Sequence, residues 1–182
     1  MEKIERGYFQ PEQAREVADA FERHGVEFLF IGKGAAILLG YPSSTQDVDI
    51  FPRKSKANGE RIIKALDDLG FVVNEKQSTH ILMGSDFVQL GTGPFDLDLI
   101  FAPDGIEDFD EAYARRIVTD GFSIASLDDI IASKKAAARP KDFLDISLLE
   151  EFREEYNKKL RREPRSAIEI ALDRTRPDAE GY

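Results

Sequence analysis

Asp47 and Asp49 stand two residues apart in the segment DVDIF, and Asp96 and Asp98 repeat that spacing in FDLDLIF. In an extended strand alternate side chains share a face, so each pair projects both carboxylates to one side. Val48 and Ile50 then turn the other way, into the core. Adjacent anions repel, and each raises the proton affinity of the other. A hard divalent cation relieves that repulsion, and an all-oxygen donor set selects Mg2+ or Mn2+ over zinc or copper. The same spacing also suits two solvated acids on an edge strand. If the two strands are neighbours, a third carboxylate joins Asp47 and Asp49. Asp98 is the expected one, because Leu99-Ile100-Phe101 follow it much as Ile50-Phe51 follow Asp49. Asp96 shares its face and is the alternative.

Upstream lies Gly32-Lys33-Gly34, between the apolar run Phe28-Leu29-Phe30-Ile31 and a short apolar segment closed by Gly40. Backbone amides at a glycine-containing turn that opens a helix bind phosphate well. A triphosphate would then lie between amide donors on one side and metal-bearing carboxylates on the other. A plain tight turn is the other reading of Gly32 and Gly34.

These residues need elements to position them. Apolar spacing predicts helices over 11–24, 33–40 and 56–69, with Gly25, Gly40 and Gly70 as stops. Strands are expected at 28–31 and 47–51, and β-like pieces at 71–74, 79–83, 86–90 and 95–101. From 106 onward the pattern turns helical. Ser126 with Asp129 resembles a capping box opening a helix over 127–138. Pro140 interrupts it, and a second helix follows over 141–160, with Phe143, Leu144, Ile146, Leu148 and Leu149 as its apolar side. The last residues, RTRPDAEGY, carry little hydrophobicity and are expected to fray. The expected fold class is α/β (α+β): a mixed, partly antiparallel sheet flanked by helices, plus C-terminal helices. The chain divides into an α/β core at 1–105 and a helical region at 106–182.

Composition narrows the function. With 42% hydrophobic residues the chain buries a real core, and with no cysteine it has neither thiolate metal sites nor cysteine nucleophiles. Two histidines argue against a His-rich zinc site. A net charge of −10 disfavours broad non-specific binding to nucleic acid. No apolar run approaches the roughly 20 residues that span a bilayer, and the opening MEKIERGYFQPEQ lacks an apolar signal core. A soluble, cytoplasmic protein without membrane partners is expected.

The run FLFIGKGAAILLGYPSSTQDVDIF, followed later by FDLDLIF, resembles the DNA polymerase β-type nucleotidyltransferase superfamily. Within it, Ala35 to Asp49 is similar to the minimal bacterial and archaeal branch that includes AbiEii-like toxins. So is SLDDIIASKKAAARPKDFLDI, through Lys135, Arg139, Lys141-Asp142 and Asp145. The likeness covers roughly residues 26–150. Two positions depart from the pattern: Lys33 replaces the second small residue of the Gly-Gly/Ser signature, and Ser43 replaces the Arg often found before the Thr. Lys33 either offers its charge to the triphosphate or points to solvent.

The resemblance implies a nucleotidyltransferase fold and transfer of a nucleoside monophosphate from a nucleoside triphosphate to an acceptor hydroxyl, releasing pyrophosphate. It implies Asp47, Asp49 and Asp98 as catalytic and Mg2+- or Mn2+-binding residues, with Asp98 able to receive the hydroxyl proton. Gly32, Lys33, Gly34, Thr45, Lys135 and Arg139 would contact the nucleotide. For Lys134, Lys135, Arg139 and Lys141 the competing reading is a solvated basic helix face. Asp142 and Asp145 are expected to pair with those cations rather than bind metal, and His80 to be a strand residue rather than a base. The acceptor stays open between a tRNA end, a protein and a small molecule. One version of the function is the toxin of a toxin–antitoxin pair, with an antitoxin protein as partner. Two alternatives stand beside it: a catalytically weak nucleotide- or partner-binding protein that retains the fold, and an unrelated metal- or sugar-binding α/β protein.

Overall fold

Four consecutive apolar residues, Phe28 to Ile31, are stable only when both faces of their strand are covered. In a computed structural model, which describes residues 7–162, they form a central strand, and all four are buried. In chain order the elements are α1 (Pro11–Arg23), β1 (Phe28–Ile31), α2 (Gly32–Leu38), β2 (Asp47–Pro52), α3 (Lys56–Asp68), α4 (Glu75–Met83), β3 (Phe87–Leu90), β4 (Asp96–Ile100), α5 (Phe109–Ala114), β5 (Ile117–Thr119), β6 (Phe122–Ile124), α6 (Leu127–Ala137) and α7 (Asp142–Arg162). The strands make one mixed sheet in the order β3-β4-β2-β1-β6-β5. β1 runs antiparallel to β2 and parallel to β6, while β4 runs parallel to β2 and antiparallel to β3. The fold is therefore α/β, with helices flanking a mixed sheet and two helices closing the described chain. None of the described helices is long and apolar enough to cross a membrane.

The two faces of the sheet differ in kind. Val48, Ile50, Leu97, Leu99, Val88 and Leu90 point to one side and are all nearly inaccessible. Phe30, opposite Ile50, shares that side, and Phe28 takes the ring of Phe21 from α1 edge-on at 5.0 Å. The other side carries the acidic residues of β2 and β4. Strand alternation alone dictates this division.

Several expected elements change identity. Residues 79–83 belong to helix α4 rather than a strand, and 71–74 form no strand. Short apolar runs fit either period, and here Asn74 decides: its side chain accepts the Gln77 amide at 2.8 Å while Gln77 returns a bond to the Asn74 amide. His80 is accordingly a helix residue. The stretch after 106, expected to be helical, contains the β5–β6 hairpin, and β6 joins the main sheet beside β1. In α7, Ile146 and Leu149 face the core, whereas Phe143, Leu144 and Leu148 are exposed. Ser126 does cap α6 through the Asp129 amide, but the Asp129 carboxylate turns away to a two-pronged pair with Arg115 at 2.8 Å. The expectation for 174–182 lies outside the described residues.

Candidate functional site

The parallel pairing of β2 with β4 sets Asp47 opposite Asp96 and Asp49 opposite Asp98. Four carboxylates from two strands thus share one face. Above them lies a cleft of about 600 Å3, bounded by the first turn of α2, by α6 and by the 139–145 segment. Asp47, Asp49 and Asp98 line it; Asp96, one strand pair further up, does not. Of the two candidates for a third carboxylate, Asp98 is the one that lines the cleft.

Asp98 is only 8% exposed, and its Oδ1 is buried without a hydrogen-bond partner among the described residues. Such an oxygen is costly to bury unless something else satisfies it. Burial, then the charges of Asp47 and Asp96, push its pKa up to about 6. Asp49 rises to about 7, through desolvation first, then Asp98 and Asp47, against the opposing pull of Lys134 and Arg139. Asp47 is raised less far, by desolvation and then Asp96, with Lys141 opposing.

The turn into α2 fits closely over these acids. Gly32 has φ +70, a left-handed conformation that glycine alone adopts freely, and an added Cβ would overlap the Asp49 carboxylate. Gly34 packs inward instead: its added Cβ would meet the Asp47 carbonyl oxygen at 3.4 Å, and the residue does not line the cleft. Its role is to bring α2 against β2. Thr45 and Lys33 both line the cleft.

The opposite wall is cationic and already internally paired. Lys33 Nζ lies 2.6 Å from Asp145 Oδ2, so its side chain turns to α7 rather than to solvent. Lys134, buried, bridges Asp142 at 3.3 Å and Asp145 at 3.7 Å, and Arg139 Nε donates to Asp142 at 2.7 Å. Burial would raise the Asp142 pKa, but the Arg139 hydrogen bond and the Lys134 charge hold it below the usual carboxylate value. Asp142 and Asp145 thus pair with cations, as their spacing implied. Lys135 is placed differently: it pairs with Glu150 on the outer side of the α6–α7 pair, and Lys134 takes the cleft position. In the sequence Lys134 is one of four cations on a basic helix face, with nothing to single it out. Phe87, Ile100, Pro103 and Asp104, which no sequence motif marks, also line the cleft.

The donor chemistry suits a hard divalent cation, since oxygens alone converge here and Asp98 Oδ1 lacks a partner. Among the described residues, however, no three His, Cys, Asp or Glu side chains are arranged as a metal-holding group. Asp49 and Asp98 face each other in register across β2 and β4. No protein-family model matches the chain, and no curated protein is recognisably similar to it.

Proposed function

We propose that this protein is a divalent-metal-dependent nucleotidyltransferase of the DNA polymerase β type, which moves a nucleoside monophosphate from a nucleoside triphosphate to an acceptor hydroxyl. One observation carries the reading: Asp49 and Asp98 stand opposite each other, with raised proton affinity, on the floor of an open cleft whose other wall is cationic. Paired acids in a cleft are a recurring mark of a site tuned for chemistry.

Asp47, Asp49 and Asp98 would hold Mg2+ or Mn2+, which supplies charge neutralisation at the phosphates and acidifies the attacking hydroxyl. Lys33, Lys134, Arg139 and Lys141 line the wall where phosphate oxygens meet positive charge. Gly32 lets the α2 turn approach closely enough to cradle the same group. In the transfer the acceptor oxygen bonds to the α-phosphorus as the α–β bridging bond breaks, and pyrophosphate leaves with the electron pair. The hydroxyl proton would pass to Asp98, which lines the cleft in register with Asp49. Such chemistry rests on placement and electrostatics more than on covalent participation.

A second reading has its own support. Lys33, Lys134 and Arg139 are satisfied by Asp142 and Asp145, so a triphosphate must compete with α7 carboxylates for them. A binding protein that keeps the fold with little turnover would look the same. Labelled triphosphates incubated with Mg2+ or Mn2+ and a cell extract separate the two, since only transfer leaves a labelled acceptor. Asp49→Asn should reduce that labelling at least roughly a hundredfold with the fold intact. Wild-type labelling by the variant would remove the assignment of Asp49 to metal.

A further inference from the structure

Two carboxylates hold the cations of the cleft, and they hold them differently. Asp142 and Asp145 both stand in the first turn of α7. Asp142 is 2% exposed; it accepts Arg139 Nε at 2.7 Å and lies 3.3 Å from Lys134 Nζ. Its amide donates to the Arg139 carbonyl oxygen at 2.9 Å, so the residue closes the chain reversal as well as the ion pairs. Uncovering a carboxylate buried between two cations is costly, because each partner then loses its counter-charge away from water. Asp142 is a fixed part of the wall.

Asp145 is not. Its side chain is 18% exposed and lines the cleft. Its close partner is Lys33 Nζ at 2.6 Å, while Lys134 stands further off at 3.7 Å. Lys33 belongs to α2, is 26% exposed and lines the same cleft. A lysine carries a compact charge on a flexible four-carbon stem, so it can turn from one anion to another without a backbone change. Asp145 keeps Lys134 nearby when Lys33 turns away, and neither group is left in an apolar surround. Ion pairs open to water are weakly held. A phosphate group offers more charge and more acceptor oxygens than one carboxylate.

Resting on the transferase reading above, we infer that Asp145 is a placeholder for phosphate. It holds Lys33 in the arrangement seen here and gives it up to the terminal phosphates of a metal-bound triphosphate. Lys33 is thus the movable cation of the wall; Lys134 and Arg139, anchored by Asp142, are the fixed ones. The ion pair between α2 and α7 and the bond from Lys33 to phosphate exclude each other. The strength of that pair therefore sets the affinity with which phosphate enters. The exchange is non-covalent, and Asp145 acts on the ligand only through Lys33, as a positioning residue.

Calorimetric titration of the full chain with inorganic pyrophosphate in Mg2+ tests the exchange. The variants are Asp145→Asn, Lys33→Met, the two combined, and Asp145→Glu. Asp145→Asn should tighten pyrophosphate binding roughly tenfold, as freeing a cation otherwise available about a tenth of the time does. Lys33→Met should weaken binding, and in the combined variant the gain from Asp145→Asn should vanish. That coupling separates an exchanged partner from the mere removal of a negative charge, which would tighten binding with or without Lys33. Asp145→Glu restores the carboxylate and should bind as the wild type does. Asp145→Ser carries the same expectation as the asparagine variant should the latter fold poorly. A tightening that persists without Lys33, or an affinity unmoved or lowered by Asp145→Asn, would overturn the inference and leave the transferase reading standing. Failure of the wild type and every variant to bind pyrophosphate or triphosphate would remove that reading, and the inference with it.

Discussion

An acid that keeps its proton to about pH 7 in the folded chain, as Asp49 does, makes folding itself sensitive to pH. In the unfolded chain such a carboxyl titrates near 3.8. Between those values the folded state binds more protons, so stability falls as pH rises. Asp98, raised to about 6, adds to the same trend. The favourable contribution is complete below about 4 and is lost as pH climbs through 6 to 7. Melting temperature in chelator should therefore drop between pH 5 and pH 8, and Mn2+ should restore it more at the upper end. Asp49→Asn should blunt both effects; a melting temperature indifferent to pH and Mn2+ across that range would contradict the assigned proton affinities. Gly32 offers a second test at this scale. Its φ of +70 and its closeness to the Asp49 carboxylate predict that Gly32→Ala costs roughly 1–3 kcal/mol, readable by equilibrium denaturation. The lysines show how fine the scale is. One step along a helix turns a side chain by about 100°, which sends Lys134 into the cleft and Lys135 to Glu150.

Between α6 and α7 the chain must reverse while still presenting Arg139 to the cleft. It does so at Ala138, which adopts φ 48, a left-handed conformation that an alanine Cβ resists. Pro140 contributes by disfavouring a helical Arg139. Ala138→Gly should relieve the strain and raise stability by about 0.5–1 kcal/mol, seen as a higher melting temperature. A lower one would mean that the methyl group packs usefully. The misread elements share one cause. Residues 79–83 are apolar and short, so period could not separate helix from strand, although the Asn74–Gln77 cap was present in the sequence. The β5–β6 hairpin was legible in principle: Asp120-Gly121 separates two β-branched and aromatic triplets. Both turn residues have positive φ, at 48 and 78, as a tight hairpin requires. Strands of three residues are too short for alternation to register.

Strand β6 changes the view of the whole molecule, because it lies in the region read as a helical appendage. It pairs with β1, and Phe122 packs edge-on against Phe30 at 5.7 Å. Ile124 and Ala125 are fully buried. A fragment ending at residue 105 would expose that side of β1 and lose the burial of Phe122 and Ile124, about 2 kcal/mol each. It should lack a cooperative thermal transition and dispersed amide resonances, whereas the full chain should show both. A well-folded fragment would mean that the first 105 residues form a self-sufficient core. Charge is also organised at this scale. A chain of net charge −10 concentrates Lys33, Lys134, Arg139 and Lys141 around one cleft. The same cleft carries Asp47, Asp49, Asp98, Asp104, Asp142 and Asp145, so its cations sit among carboxylates and a bound divalent cation would be needed to tip it toward anions.

Local periodicity was enough to place Asp47 with Asp49, and Asp96 with Asp98, each pair on one strand face with hydrophobic neighbours turned inward. It also located β1, the stops of α1 and α3, and the start of α6, because caps, glycines and alternation act within a few residues. Which residues meet across the sheet is not a local property. The pairing of Asp49 with Asp98, the turn of Lys33 toward Asp145, and the seating of β6 beside β1 follow from how the buried faces fit together. Contacts between distant segments depend on three-dimensional packing, and a one-dimensional pattern records only the faces available for it.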